Sequence, residues 1–203
     1  MATPRSRSTL HLQLGQEIIY LIMAIAIAAA FYMAALRASD HRSRRDPPII
    51  VMREADGYFF PTGSAILSPA FEQRLRNEVI PRLAATGQEY QATVIEVIGH
   101  TDEVPLRQAR RHETNLDRSL LPFLRDGIGE PVAADNVGLG MARAIAVAHV
   151  LRESPLRKGF EIIPMSAGAF QRPNDTASLS GGTAIPDQAR RRIEIRVRRQ
   201  QVR

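Results

Sequence analysis

Two charged residues, Asp102 and Arg143, have the chemistry needed to bind a small zwitterion. Asp102 follows the predicted strand at residues 92–98, and Arg143 lies one turn inside a predicted helix at residues 138–152. A carboxylate suits an ammonium group, and a guanidinium binds a carboxylate through two parallel charge-assisted hydrogen bonds. Spacing alone favours a simpler alternative, which is an internal salt bridge or an aspartate that caps a turn beside an unrelated arginine.

Hydropathy patterns predict the elements that position these two residues. Strands are predicted at residues 49–52, 92–98, 160–163 and 192–197. A helix is predicted from Ser68-Pro69, as N-cap and first helical residue, to about Gly87. Its apolar stripe is Phe71, Leu75, Val79 and Leu83, and the helix at 138–152 buries Leu139, Ala142, Ile145, Ala146 and Val150. This order predicts an α/β fold, an α+β sandwich of two helices on a mixed sheet.

The last predicted strand carries much of the net charge of +6. Its apolar residues Ile193, Ile195 and Val197 alternate with Glu194, Arg196 and Arg198, which predicts one buried face and one solvated face. A surface for nucleic acid would interleave aromatic residues with the arginines, and this segment has none. We therefore expect no nucleic-acid partner.

A long connection, about residues 103–135, separates Asp102 from the helix of Arg143. Its segment Asn115-Leu116-Asp117-Arg118 predicts an additional capped helix. The histidines His100, His112 and His149 match no metal-ligand spacing, and the chain has no cysteine. No Ser-His-Asp order, P-loop or G-x-G-x-x-G is present, so we expect neither an enzyme, nor a metal, nor a cofactor.

Residues 18–36 form an uncharged apolar run that predicts a transmembrane helix. A cleaved signal peptide is the alternative, but the run is longer than a signal core of about 7 to 15 residues. Ala24 and Ala28, with Ala26, Ala30 and Ala34, form small-x-x-x-small rows that favour self-association or a partner subunit. Arginines follow the run more densely than they precede it, so the positive-inside rule alone places the C-terminal side in the cytoplasm.

Three short motifs occur in an order that is typical of one family. They are Gly99-His100-Thr101-Asp102, the helix start Asn136-Val137-Gly138-Leu139-Gly140-Met141-Ala142-Arg143-Ala144, and Arg191-Arg192-Ile193-Glu194-Ile195. With the entry segment Phe60-Pro61-Thr62-Gly63-Ser64-Ala65, they resemble the OmpA-like (OmpA/MotB C-terminal) peptidoglycan-binding domain over about residues 50–199. The resemblance implies a βαβαββ domain with helices on a mixed sheet.

The resemblance also implies a binding site. Asp102 would hold the ammonium and Arg143 the carboxylate of a diaminopimelate-type stem peptide, with Thr101, Asn136 and Leu139 from the same motifs beside them. Asn136 would cap the helix or hold the loop. Two departures stand out: Gly140 replaces the family's serine, and Arg190 replaces its asparagine, whose role is then unfilled.

The predicted organisation is a cytoplasmic segment (1–17), a transmembrane helix (18–36), a linker (37–48) and an OmpA-like domain (49–199) with its insertion at 103–135. The resemblance places this last domain in the periplasm, as part of a single-pass inner-membrane protein. We expect it to tether an envelope complex to peptidoglycan, as a homodimer or with a multi-span membrane partner.

Two other functions stay open. A MotB- or ZorB-like stator subunit would carry ions on a carboxylate near the start of its helix, and Glu17 is the candidate. An interfacial position is favoured for Glu17, because charge inside a membrane is costly. The other alternative is a protein-interaction module that keeps the fold without binding the wall.

Overall fold

The computed structural model describes residues 6–43, 47–106, 114–178 and 186–200, and of residues 6–16 and 38–43 the helical backbone alone. Part of the predicted linker, part of the predicted insertion and His112 lie outside the described residues. The chain divides into two compact units, residues 1–45 and 46–203.

The first unit is a single long helix, α1 (Ser6–Ser43). Its segment Glu17–Arg37 has a mean hydropathy of 2.4 over an apolar window and is long enough, by length and composition, to cross a membrane. Helical backbone extends beyond the predicted span at both ends, so residues 37–43 of the predicted linker are helical as well.

The second unit is built on a four-stranded sheet. Its strands are β1 (Ile50–Arg53), β2 (Val94–His100), β3 (Glu161–Gly168) and β4 (Arg192–Arg198). Their order is β1-β4-β2-β3, with β2 parallel to β3 and β4 antiparallel to both of its neighbours. The predicted α/β fold with helices on a mixed sheet is therefore confirmed.

The first helical layer consists of α2 (Pro69–Arg74) and α3 (Ile80–Tyr90), joined by a π-helical turn at Leu75–Val79. Ser68 caps α2 as predicted, because its side chain accepts a hydrogen bond from the Phe71 amide at 3.2 Å. Three four-residue steps drift by about 120° around a regular α-helix. The wider π turn offsets this drift, and all four residues of the predicted stripe are buried.

The sequence predicted that this helix ends at about Gly87, but α3 extends past that residue. It continues to Tyr90 and ends where Gln91 adopts a left-handed conformation, with φ of 52°. Gly87 is instead a packing position, since a Cβ there would lie 2.1 Å from the Phe160 ring. A glycine in a helix thus marks a close contact here and not a helix end.

Two more helices follow in the second half of the unit. The predicted additional helix is observed as α4 (Leu116–Asp126), and the second core helix is α5 (Asn136–Glu153). The start of α5 comes two residues earlier than predicted, because Asp135 is the N-cap and accepts a hydrogen bond from the Gly138 amide at 2.7 Å. Every residue from Ala142 to Ala148 is buried on α5.

The helix α5 crosses β2 in direct backbone contact at Gly99 and Gly140. A Cβ on Gly99 would lie 1.9 Å from the Gly140 carbonyl oxygen, and a Cβ on Gly140 would lie 2.5 Å from Ser166 Oγ. Ser166 Oγ itself donates a hydrogen bond to the Val137 carbonyl at 2.7 Å. The departure at Gly140 is therefore a requirement of this packing.

The predicted solvated face of β4 is only partly correct. Ile193, Ile195 and Val197 are buried as expected, but Glu194 and Arg192 on the other face are buried too, at 5% and 4% exposure. A turn covers them, since Arg192 Nη2 donates to the Arg172 carbonyl at 3.3 Å. Both faces of β4 are thus shielded from solvent around Arg192 and Glu194.

Replacing Gly99 by alanine tests the close approach of α5 to β2. We expect Gly99→Ala to lower the free energy of unfolding of a fragment spanning residues 46–203 by about 3 kcal/mol, because the new methyl group would overlap backbone atoms, which cannot rotate away as a side chain could. Urea denaturation measures this. Gly159→Ala is the matched control, because no atom lies within 4 Å of its Cβ position. Equal stability of the two variants would contradict the packing argument.

Candidate functional site

A cavity of about 510 Å³ lies where β2 ends and α5 begins. The five residues predicted to bind peptidoglycan all line it, namely Thr101, Asp102, Asn136, Leu139 and Arg143. The rest of the lining includes Glu54, Phe60, Gly63, Leu106, Pro186 and Arg191. Residues that are about 40 positions apart in the sequence therefore share one cavity.

Asp102 is 6% exposed and has an arginine partner, which is Arg191 and not Arg143. Its Oδ2 accepts a hydrogen bond from Arg191 Nη1 at 2.5 Å and a longer one from the Asp187 amide at 3.3 Å. Its Oδ1 accepts from the Val104 amide at 3.3 Å. Among the described residues, Asp102 and Arg143 form no salt bridge with each other, and the carboxylate of Asp102 pairs with Arg191 instead.

Arg143 is 4% exposed and is held by the entry segment. Its Nε donates to the Ser64 carbonyl at 3.0 Å, its Nη2 donates to the Pro61 carbonyl at 3.4 Å, and its guanidinium carbon lies 4.9 Å from the centre of the Phe60 ring. Burial lowers the pKa of Arg143 to about 10, against the opposing effect of the Glu54 charge. The side chain is therefore still a cation at neutral pH.

Only part of the Arg143 guanidinium is used by these contacts. An arginine has five N–H donors, and the contacts to Ser64 and Pro61 engage Nε and Nη2. Nη1 makes no hydrogen bond to the residues that the structure describes. One edge of the guanidinium can therefore serve a carboxylate in the cavity.

Asn136 holds the loop after β2 and does not cap α5. Its Nδ2 donates to the carbonyls of Asp102 and Val104 at 3.2 and 2.9 Å, while Asp135 is the N-cap. Of the two roles predicted for Asn136, the structure shows loop holding. Thr101 supports the same junction, since its amide donates to the Gly168 carbonyl at 2.8 Å. Leu139 is 5% exposed and forms an apolar part of the cavity wall.

Two lining residues, Glu54 and Arg191, were missed by sequence reasoning. The Glu54 amide donates to the Arg191 carbonyl at 3.3 Å, which extends the pairing of β1 with β4 by one residue. Their side chains form an ion pair, and the Glu54 hydrogen bond raises the pKa of Arg191. The available signal was that each residue lies within two positions of a predicted strand, at ends that antiparallel pairing brings together.

Arg190, at the position where the OmpA-like motif has an asparagine, makes contacts of its own. Its Nη1 lies 2.7 Å from Glu103 Oε1, and its Nη2 donates to the Ala169 carbonyl. Glu103 also accepts a hydrogen bond from the Ser178 hydroxyl, which with Arg190 lowers the pKa of Glu103. Arg190 therefore joins the loops that follow β2 and β3.

A buried charge cluster lies behind the cavity on β2 and β4. Glu194 Oε1 lies 2.8 Å from Arg192 and 3.5 Å from His100 Nε2, and Glu194 Oε2 lies 2.9 Å from Arg196. Burial alone would raise the pKa of Glu194, but His100, Arg196 and Arg192 outweigh burial and hold that pKa well below its usual range. His100 is thus a neighbour of a structural carboxylate.

Two of the other predicted positions are not among the residues that line this cavity. Glu17 is exposed on α1, in the other unit. His149 Nδ1 is 3.3 Å from the Leu124 carbonyl, and its Nε2 is 3.5 Å from Glu153. Among the described residues, no group of three or more His, Asp or Glu side chains is placed to hold a metal ion.

Removing the charge of Glu194 tests the buried cluster. We expect Glu194→Gln to destabilise residues 46–203 by about 3 kcal/mol at pH 7, because it leaves Arg192 buried without its carboxylate. Since the folded-state pKa is depressed, the stability that Glu194 contributes is present above the ordinary value of 4.5 and is lost as pH falls further. Urea denaturation from pH 7 to pH 3 should therefore show a flatter pH dependence for Glu194→Gln than for wild type.

The exposed Glu161 on β3 supplies the control, as Glu161→Gln. This variant should match wild type in stability and in pH dependence. If Glu194→Gln behaved in the same way, the buried cluster would have no part in stability.

Comparisons with known proteins give a distant likeness of shape. No protein-family model and no curated protein sequence matches the chain. Among solved structures, a MotB-like protein from Desulfovibrio vulgaris has a TM-score of 0.45 at 15% identity, with 75% of each chain covered. The periplasmic domain of Helicobacter pylori MotB has a TM-score of 0.45 at 18% identity, with 75% of this chain and 76% of that chain covered. A second structure of the Helicobacter pylori domain has a TM-score of 0.44 at 20% identity, covering 75% and 74%. These values establish no family membership, so the function has to be argued from the site.

Proposed function

We propose that the chain is a membrane-anchored peptidoglycan-binding protein that tethers an envelope complex to the cell wall. The observation that carries the proposal is the cavity that Asp102 and Arg143 line together. A diaminopimelate-type residue presents an ammonium and a carboxylate on one side chain. Asp102 supplies the anion and Arg143 the cation that such a zwitterion requires.

The fixed geometry of both groups supports binding of a ligand. Arg143 is anchored to the carbonyls of Ser64 and Pro61, and the loop of Asp102 is anchored by Asn136. Binding a ligand therefore costs little side-chain entropy. Leu139 and Phe60 add apolar wall for the aliphatic part of the stem.

The anchor in this proposal is the apolar segment of α1, and the second unit lies on the outer side of the inner membrane. The charge bias of the flanking arginines opposes this orientation. The need for access to the wall outweighs that bias in the proposal.

Co-sedimentation with purified peptidoglycan sacculi tests the proposed binding. We expect the full chain, in mild detergent, to sediment with sacculi and Asp102→Asn to bind at least about tenfold more weakly, because it loses a charge-assisted contact. Asp126→Asn is the matched control. This substitution makes the same change of charge at an exposed position at the end of α4.

Asp102 is a cleaner position for this test than Arg143. Loss of Arg143 would release the Ser64 and Pro61 carbonyls and so disturb the entry segment. Absence of wild-type binding would favour the alternative function, an interaction module without wall binding. Equal loss in both aspartate variants would indicate a general effect of charge.

A second candidate function is that of a stator subunit of an ion-driven membrane motor. It is favoured by the place of Glu17, which lies in the interior of the continuous helix α1 and at the start of its apolar segment. A carboxylate there could carry an ion against a multi-span partner.

Neutralising Glu17 distinguishes an ion carrier from a passive anchor. Under the stator hypothesis, Glu17→Gln should abolish the ion-dependent phenotype of the host system while sacculus binding persists, because the substitution removes the titrating group alone. An assay of that phenotype beside sacculus binding measures both. A Glu17→Gln strain with every phenotype intact would exclude the stator role.

A further inference from the structure

We propose that Arg191 is an internal competitor for the ammonium of the ligand, so that a stem peptide binds Asp102 by displacing Arg191. This inference rests on the proposed function and deepens it. It assigns Arg191 and Glu54 the role of setting the affinity and selectivity of the cavity for zwitterionic ligands.

Arg191 occupies the position that a ligand's cation needs. Its Nη1 is 2.5 Å from Asp102 Oδ2, which is a full charge-assisted contact. Among the described residues, the other hydrogen bonds to that carboxylate come from backbone amides at 3.3 Å, and these are weaker and neutral. An incoming ammonium can pair with the Asp102 carboxylate only by displacing the Arg191 guanidinium from it.

Glu54 gives Arg191 a second place to go. The two residues are neighbours across the extended β1–β4 pairing, and Arg191 Nε pairs with Glu54 Oε2. Arg191 therefore keeps one carboxylate when it releases the other. Arg191 is half-buried and keeps Glu54 as its partner throughout. Its displacement from Asp102 therefore costs far less free energy than breaking an isolated buried ion pair.

Arg191 is also free enough to move. Its side chain is 24% exposed, against 9% for Asp102 and 14% for Glu54. Arg143, in contrast, is nearly buried and is tied to two backbone carbonyls. The cavity therefore holds one fixed guanidinium for the ligand's carboxylate and one mobile guanidinium that gives way to the ligand's ammonium.

The competition predicts opposite effects for two neutralising substitutions. Arg191→Gln should bind a soluble stem tetrapeptide containing diaminopimelate about threefold to tenfold more tightly than wild type, because Asp102 is released for the ammonium. Glu54→Gln should bind it more weakly by a similar factor, because Arg191 then depends on Asp102 alone. Isothermal titration of the full chain in detergent micelles measures both.

The matched control and a modified ligand separate this effect from general charge. Arg198→Gln removes the same charge from the far end of β4, where Arg198 pairs with Glu96, and should leave the affinity unchanged. The gain in Arg191→Gln should disappear when the free amino group of the diaminopimelate is acetylated. Thermal unfolding of each variant reports on folding separately.

Each outcome has a definite meaning. The competition is overturned if wild type binds the peptide and Arg191→Gln binds it more weakly. It is also overturned if the affinities of Arg191→Gln and Glu54→Gln change in the same direction. Both outcomes leave the proposed function standing. Binding by Arg191→Gln where wild type binds too weakly to measure supports the competition. Absence of binding by both proteins refutes the proposed function, and the competition with it.

Discussion

The backbone contact between α5 and the end of β2 is the constraint on which the rest of this unit depends. Gly99 and Gly140 let the helix lie directly on the strand. Asp102 lies three residues after Gly99, and Arg143 lies three residues after Gly140. The distance between these two charged residues is therefore set by a contact between two glycines.

Compensation of charge is the second organising feature. Arginines and carboxylates meet in two adjoining groups, one around Glu194 behind the cavity and one around Asp102 at its wall. The first group is closed by β4 and its covering turn, so it is structural. The second is open to the cavity, and there the same kind of ion pair becomes an exchangeable contact.

Much of the fold was predictable from the sequence, because strand alternation and the apolar helix stripes are local patterns. The cap at Ser68 and the helix after Asn115 were visible for the same reason. The end of α3 was not, since Gly87 is a glycine on account of the Phe160 ring, which lies far along the chain. The burial of Glu194 was also hidden, because the turn that covers it is remote in sequence.

For the site, the sequence indicated the five motif residues that line the cavity but not their partners. Asp102 pairs with Arg191 because two antiparallel strands bring Glu54 and Arg191 to the cavity edge, and this pairing is non-local. The N-cap is Asp135 and not Asn136, because α5 starts two residues earlier than the sequence predicted. Local motifs thus indicate where a candidate site lies, while non-local strand pairing determines which of its residues form ion pairs.

The hydroxyl of Ser166 has a consequence for how such chains diverge. It lies 2.5 Å from where a Cβ of residue 140 would be, so it occupies the space that a serine on the helix would fill. A side chain at residue 140 therefore needs a smaller residue at position 166, and the two positions, one on the helix and one on the strand, share a single space. Each of them limits which residue the other can hold, although 26 positions of the chain separate them.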